Sequence, residues 1–223
     1  MPQPGVVAPS HVAALRSIVF RVVLAAVTGA LWGGLTSFGQ EALPTGITSL
    51  ANSVTGWTIP TFLVVMSCTL APVARRPWLA AVMGGVCFHL MLQGYAVVST
   101  ARGFPDSYGP ENVFFWAATF CGPIVGLSAV WQYSASPNLR GAGLAVITAV
   151  LLGEGSHGLA SLTATTGWIY WALDLLLGAV VLTVVIPCRV QPWAARLSAM
   201  ALALAGGALF FVGTEAVSAA SGT

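Results

Sequence analysis

The sequence predicts an all-α fold, a polytopic transmembrane bundle of about seven helices, and three observations lead to this prediction. Of the 223 residues, 57% are hydrophobic and only 6% are charged, whereas roughly 25% of a soluble domain is charged. The mean hydropathy is +0.88. Apolar runs recur along the whole chain at close to the ~20 residues that a membrane-spanning helix needs. The sequence therefore leaves no room for a separate soluble domain.

The predicted helices follow one another along a single transmembrane domain, residues 17–217. A proline-containing tail at 1–16 is expected to be disordered and cytoplasmic, and a short tail follows at 218–223. The predicted helices cover about residues 17–38, 58–73, 78–100, 112–133, 141–162, 168–187 and 197–217. The loop at 39–57 is polar, but Ile47, Leu50 and Val54 fall at helical spacing and predict a short interfacial helix within it.

The distribution of arginines predicts the orientation of the bundle. With a cytoplasmic N-terminus, seven of the eight arginines fall on the cytoplasmic side and Arg102 alone falls outside, as the positive-inside rule requires. Glu41, Asp106 and Glu111 then fall in outer loops. We therefore expect the N-terminus inside and the C-terminus outside.

Missing residue types and motifs exclude several functional classes. The chain contains no lysine, which rules out a Walker A phosphate loop and a Schiff-base lysine. A basic patch for nucleic acid is also absent. None of the four cysteines stands in CxxC spacing, and neither an HExxH nor a nucleophile-elbow motif occurs. The sequence therefore predicts no nucleic-acid partner, no cofactor, no metal site and no catalytic residue.

Most of the ionisable residues expected inside the membrane lie in one stretch, LLGEGSHGLASLTATTGWIYWALD. It contains Glu154 and His157, which share one face of segment five, and Asp174 in segment six. Such groups are costly in a bilayer and usually face a protein interior or a wet cavity. His89 and Gln93 stand at i and i+4 on segment three. We expect these five residues to surround a ligand- or proton-binding cavity open to the extracytoplasmic side.

Other interpretations of these residues stay open. A hydrogen-bonded pair of Glu154 with His157 or His89 would only fix helix packing. A protonated Glu154 would be inert, because desolvation disfavours the charged form. Glu215, at the end of segment seven, is interpreted as a solvated helix end. The run Trp168, Tyr170 and Trp171 is interpreted as an interface anchor.

Two GxxxG patterns, Gly29/Gly33 and Gly122/Gly126, predict close helix packing. Packing within the chain is the first interpretation of both. A homo-oligomer or a membrane partner docked on one of these faces is the alternative.

Several runs of the sequence resemble a known family. These runs are GGLTSFGQEALP, SLANSVTGW, FFWAATFCGPIVGL, LLGEGSHGL and TGWIYWALDLLLG. They are similar to domain-of-unknown-function family 6518, uncharacterised actinobacterial multi-pass integral membrane proteins. The likeness extends from about Gly29 to Val185 and implies a core that ends near segment six, with segment seven as an addition. It implies a bacterial plasma-membrane location, and it implies no activity or substrate because the family has none assigned.

The sequence as a whole predicts a small-solute or proton-coupled transport component, embedded in the lipid bilayer and taking a small-molecule ligand. One alternative is a structural or accessory membrane subunit whose buried polar residues only hold helices together. A membrane enzyme acting on a lipid-linked substrate is the other, with Glu154 or His157 as general base.

Overall fold

The fold is a bundle of apolar helices. The computed structural model describes residues 11–70 and 76–221, and within them every regular element is a helix. In that part of the chain, six helices are long and apolar enough to cross a membrane, and a seventh is shorter. In chain order they are α1 (His11–Ala42), α2 (Val54–Cys68), α3 (Pro77–Ala101), α4 (Val113–Trp131), α5 (Pro137–Thr166), α6 (Ile169–Arg189) and α7 (Trp193–Ser221). The predicted all-α membrane fold is confirmed.

Several helices extend beyond their predicted boundaries, for example α5, which covers Pro137–Thr166 where 141–162 is predicted. α1 begins at His11, so the predicted tail is helical from that residue onward, and residues 1–10 lie outside the described part. α7 continues to Ser221. The short helix predicted within the loop at 39–57 is present as a 3-10 helix, Thr45–Asn52, and the last residues of that loop belong to α2. These ends are polar or proline-rich in sequence, so hydropathy alone places the helix boundaries too far inward.

α2 is the exception to the membrane-spanning length. Its 15 residues extend roughly 22 Å at the helical rise, less than the ~30 Å of a hydrocarbon core. It begins at Val54, four residues before the predicted start at 58. The predicted end near 73 lies outside the described residues. A helix of this length is too short to cross a hydrocarbon core by itself.

Odd-numbered helices run in one direction and even-numbered helices in the other. Along α1 and α3, Gly33 packs on the backbone of Met91, and Ser37 Oγ lies 2.9 Å from Ser99 Oγ. Residues later in α1 contact residues later in α3, so the two helices are parallel. The same holds for α5 and α7, where Gly141 meets Ala199 and Gly153 meets Phe210.

Both GxxxG faces pack inside the chain against α3. A Cβ added at Gly29 or Gly33 would clash with the carbonyl oxygen of Cys87 or Met91. On the other side of α3, a Cβ at Gly126 would clash with the Ala80 carbonyl oxygen. Packing within the chain is thus what these glycines provide. The alternative, a homo-oligomer or a membrane partner docked on one of these faces, stays a prediction. In this structure α3 already covers both glycine faces.

The bundle has two apolar cores, one on each side of a junction. One is built from α1 to α4 and includes Ala25, Met83 and Ala129. The second lies between α5, α6 and α7 and includes Leu144 and Ile186. At the junction α2 and α4 pack against α5, and the 3-10 helix packs against α6. The beginning of α2 is therefore surrounded by elements of both cores.

Gly33→Ala should strongly destabilise the protein, because its Cβ would overlap a backbone carbonyl on α3 that cannot rotate away. Overpacking of this kind costs about 1–3 kcal/mol or more. Thermal unfolding of the purified protein in detergent measures the effect. The matched control is Gly213→Ala on α7, where nothing lies within 4 Å of an added Cβ. That change should be neutral or stabilising by up to ~1 kcal/mol, and equal melting points for the two variants would contradict the packing argument.

Candidate functional site

The site lies at the break between the 3-10 helix and α2. At Ser53 the backbone is extended, with φ −117° and ψ 155°. The Ser53 Oγ atom accepts a hydrogen bond from the Gly56 amide at 2.8 Å, which makes Ser53 the N-cap of α2. The same Oγ lies 2.5 Å from the Tyr170 hydroxyl of α6. The break is therefore fixed from within α2 and from a neighbouring helix.

Glu154 of α5 provides a second cap for the same helix. Its Oε1 accepts from the Val54 amide at 2.6 Å, and its Oε2 accepts from the Thr55 amide at 2.5 Å. Glu154 is only 6% exposed. The first amides of a helix have no partner inside the helix, and its dipole favours negative charge at this end. A carboxylate from another helix thus satisfies the first two amides of α2.

The opposite end of α2 meets a positive charge. Arg21 of α1 donates from Nη1 to the carbonyl oxygen of Cys68, the last residue of α2. Between the two ends, Trp32 Nε1 of α1 donates to the Gly56 carbonyl at 3.0 Å. Anion at the N-terminus and cation at the C-terminus both complement the helix dipole.

Two glycines bring α6 against α5 beside Glu154. A Cβ at Gly155 would lie 2.8 Å from the Leu175 amide nitrogen and 3.0 Å from the Trp171 carbonyl oxygen. A Cβ at Gly158 would overlap the Trp171 ring. The absence of side chains at these positions allows the close approach expected from the sequence. It places Asp174, one residue before Leu175, next to Glu154.

Asp174 is a buried carboxyl group with an incomplete set of partners. It is 5% exposed and interacts electrostatically with Glu154, Tyr170 and Thr55. Its Oδ2 atom is buried and receives no hydrogen bond, and the same is true of the neighbouring Thr55 Oγ1. A buried polar atom without a partner is costly. Asp174 and Thr55 are therefore two neighbouring polar side chains at the break that each keep one buried oxygen without a partner.

His157 points away from Glu154 toward α7. Its Nδ1 lies 2.8 Å from Glu215 Oε1, and Ser161 Oγ donates to the same oxygen at 2.6 Å. The Glu215 side chain is 43% exposed, as expected of a solvated helix end, and it is also the partner of His157. A π-helical turn, Gly158–Leu162, follows His157 directly. This pair fastens α7 to α5 close to the site without joining it.

His89 and Gln93 lie in another part of the bundle, contrary to the shared cavity expected from the sequence. His89 Nδ1 lies 2.6 Å from the Tyr108 hydroxyl, and its Nε2 lies 3.2 Å from Thr119 Oγ1. Burial raises the pKa of Tyr108 to about 12, so the phenol keeps its proton, and the His89 tautomer decides which of the two groups donates. The Gln93 side chain is exposed. The reason is that α3 packs mainly against α1 and α4, while α5 packs against α6 and α7.

Of the five expected site residues, the structure thus brings together Glu154 and Asp174. Sequence reasoning missed Ser53, Thr55 and Tyr170. A serine just before an apolar run is an N-cap signal, and that signal was available for Ser53. Tyr170 was interpreted as an interface anchor, yet it is buried and contacts the cap. Within the described residues, no group of three or more His, Cys, Asp and Glu side chains could hold a metal ion.

Comparison with known proteins identifies the family to which the chain belongs. A model of a family of unknown function, DUF6518, matches residues 12–220. The chain belongs to DUF6518. The match includes α7, so the idea that the family core ends near segment six is wrong. No curated protein and no solved structure matches the chain. Because the function of DUF6518 is unknown, membership assigns no role to any residue of the site.

Glu154→Gln should destabilise the protein, because an amide side chain accepts through one oxygen only and leaves one α2 amide unsatisfied. The loss of a hydrogen bond to a charged group costs about 1.5–3 kcal/mol. Thermal unfolding in detergent checks this, with Glu111→Gln in the exposed α3–α4 loop as the matched control. A Glu154→Gln protein that melts with the wild type would show that the cap contributes nothing to stability.

Proposed function

We propose that this DUF6518 protein is a proton-coupled component of small-solute transport in a bacterial plasma membrane. In this proposal, the Glu154–Asp174 pair at the start of α2 takes up and releases the proton. One observation carries the proposal. Asp174 Oδ2 is buried without a hydrogen-bond partner while a second carboxylate lies beside it.

The broken helix supports a transport role. Backbone that is not helical at membrane depth is tolerated only where it is buried in protein or lines a cavity. In many transporters, helices interrupted within the membrane form the substrate and ion sites. Asp174 lies five residues after the start of α6, roughly 8 Å along its axis. The break at Ser53, which Tyr170 and Glu154 contact, is at this same level.

The chemistry of the pair supports a proton as the coupling ion. Two carboxylates facing each other in a low-dielectric interior repel, and a proton on one of them removes the repulsion. The groups that face the pair are Thr55 and the amides of α2 and Tyr170 of α6. His157 lies one turn away on α5, paired with Glu215, and acts on Glu154 only through its charge. None of these is an arginine that could neutralise Asp174. Proton exchange would change the charge directly at the α2 N-terminus.

The alternative of a structural or accessory subunit is favoured by a different observation. Both oxygens of Glu154 are occupied by α2 amides, so Glu154 acts first as a structural cap. We therefore assign the exchangeable proton to Asp174 and the positioning role to Glu154.

Asp174→Asn should remove one protonation event while the protein stays folded, because asparagine keeps the shape but does not titrate. Infrared spectra of the protein in lipid films, recorded across a pH series, follow the carboxyl C=O band. The matched control is Asp106→Asn in the exposed α3–α4 loop, which should leave the signal of the buried carboxyl groups unchanged. Identical titrations of wild type and Asp174→Asn would refute proton exchange at this residue.

Transport itself is tested in liposomes that contain the purified protein and an internal pH dye. Sugars, amino acids, nucleosides and vitamins are added in turn under an imposed pH gradient. We expect one class to cause proton entry, which Asp174→Asn lowers at least about tenfold and Asp106→Asn leaves unchanged. A solute-dependent flux that persists in Asp174→Asn contradicts the proposal, and no flux with any class favours the accessory-subunit alternative.

The orientation belongs to the same proposal, with the N-terminus in the cytoplasm and the C-terminus outside. The starts of α5 and α7 and the end of α6 carry Arg140, Arg196 and Arg189, whereas Glu41 and Asp106 lie at the opposite ends of α1 and α3. This asymmetry follows the positive-inside rule. An alkaline phosphatase fused after Thr223 should be active in intact cells. Activity only for a fusion within the α4–α5 connection, near Ser134, would reverse the orientation.

A further inference from the structure

The Thr55 side chain lies in the first turn of α2, beside both carboxyl groups of the site. The Thr55 amide donates to Glu154 Oε2 at 2.5 Å, which holds this residue against α5. The Thr55 hydroxyl is close enough to interact with both Glu154 and Asp174. Thr55 is only 5% exposed, and within the described residues its Oγ1 atom forms no hydrogen bond. This buried hydroxyl therefore lies within reach of two acceptors and is committed to neither.

The neighbouring hydroxyl groups of α2 are already engaged. Ser53 Oγ accepts from an α2 amide at 2.8 Å and lies 2.5 Å from the Tyr170 hydroxyl. Thr61 Oγ1 donates to a carbonyl of its own helix at 2.9 Å, as threonines inside helices commonly do. Thr55 is the second residue of α2, so no carbonyl of this helix lies four residues before it. Its hydroxyl is thus left to the carboxyl groups beside it.

The chemistry of a hydroxyl allows Thr55 to serve the two carboxyl groups in turn. A threonine hydroxyl has one hydrogen, which rotates to suit its partner, and two lone pairs. When Asp174 is ionised, its Oδ2 atom needs a donor, and Thr55 can supply it. When Asp174 carries a proton, it can itself donate to Thr55 Oγ1, and the Thr55 hydrogen can then turn to Glu154. The two Glu154 oxygens each accept one amide and retain lone pairs for a further donor.

We propose that Thr55 is a positioning residue whose hydroxyl reverses its hydrogen bond when Asp174 gains or loses its proton. The reversal links the charge of Asp174 to the Glu154 cap of α2. This inference rests on the proposed function, because it takes Asp174 as the residue that exchanges the proton. No covalent bond of Thr55 breaks, since its hydroxyl only rotates about the C–O bond while the proton enters and leaves at Asp174.

The titratable groups around this hydroxyl come from two helices. Glu154 of α5 and Asp174 of α6 face the Thr55 hydroxyl, and Tyr170 of α6 interacts with Asp174. His157 acts on Glu154 through its charge. No cationic side chain is among the groups that interact with Asp174. Tyr170 is therefore the group that could replace Thr55 as the hydrogen-bond partner of Asp174, and the experiment must separate the two.

Infrared spectra of the protein in lipid films test the proposal through the C=O band of protonated Asp174, which the difference between wild type and Asp174→Asn identifies. A hydrogen-bonded carboxyl group absorbs at lower wavenumber than one without a hydrogen bond. We expect the hydrogen-bonded position in the wild type, a move to higher wavenumber in Thr55→Val, and recovery in Thr55→Ser, which keeps the hydroxyl. The matched control is Thr61→Val, the same change at a buried threonine of α2, which should leave the band in place.

The link to the cap is measured on the Glu154 carboxylate band in the same spectra. In the wild type this band should shift when Asp174 takes up its proton. The shift should be largely lost in Thr55→Val and kept in Thr61→Val, because both variants retain the change of charge at Asp174. An undiminished shift in Thr55→Val would overturn the link, since charge alone would then account for it.

Three further outcomes would contradict the proposal. They are an unchanged Asp174 band in Thr55→Val, a shift of this band in Tyr170→Phe in place of Thr55→Val, and a wild-type band at the position of a carboxyl group without a hydrogen bond. The last of these needs no substitution at Thr55 and decides the question even if Thr55→Val does not fold. An Asp174 band that is absent over the whole pH series would refute proton exchange itself. A band that is present but insensitive to Thr55 would refute this inference alone.

Discussion

The first amides of a helix have no acceptor within the helix, and at the start of α2 side chains from two parts of the chain supply the acceptors. Hydrocarbon offers no hydrogen bonds, so the protein must supply the acceptors itself. Ser53 supplies one from the helix itself, and Glu154 supplies two from α5. The position of α5 relative to α2, and with it the contact between the two apolar cores, depends on this carboxylate.

The glycines around Glu154 follow from the same constraint. A carboxylate can reach the first turn of α2 only if α5 approaches the junction closely, and α6 must pack on α5 without pushing it away. Gly155 and Gly158 leave room for the backbone and ring of Trp171. The cost in helix propensity, roughly 1 kcal/mol for each glycine, is offset by contacts that bulkier residues would prevent. Asp174 comes beside Glu154 as a result.

Much of the fold could be predicted from composition, because a chain with 6% charged residues makes its apolar segments easy to delimit. The two acids of the site could be predicted for the same reason, since each stands out in an apolar run. The residues that the buried polar side chains contact could not be predicted. His89 faces Tyr108, and Glu215 meets His157, because α3 lies between α1 and α4 and α5 runs parallel to α7. Hydropathy gives the depth of a residue in the membrane but not the side of the bundle to which it turns.

The two charged contacts at the ends of α2 have a mechanical consequence. Glu154 holds one end from α5, and Arg21 holds the other from α1. α2 therefore connects α5, which belongs to one core, with α1, which belongs to the other, through a contact at each of its ends. If α5 moved along its axis relative to α1, α2 would have to tilt or lose its contact with Glu154 or Arg21.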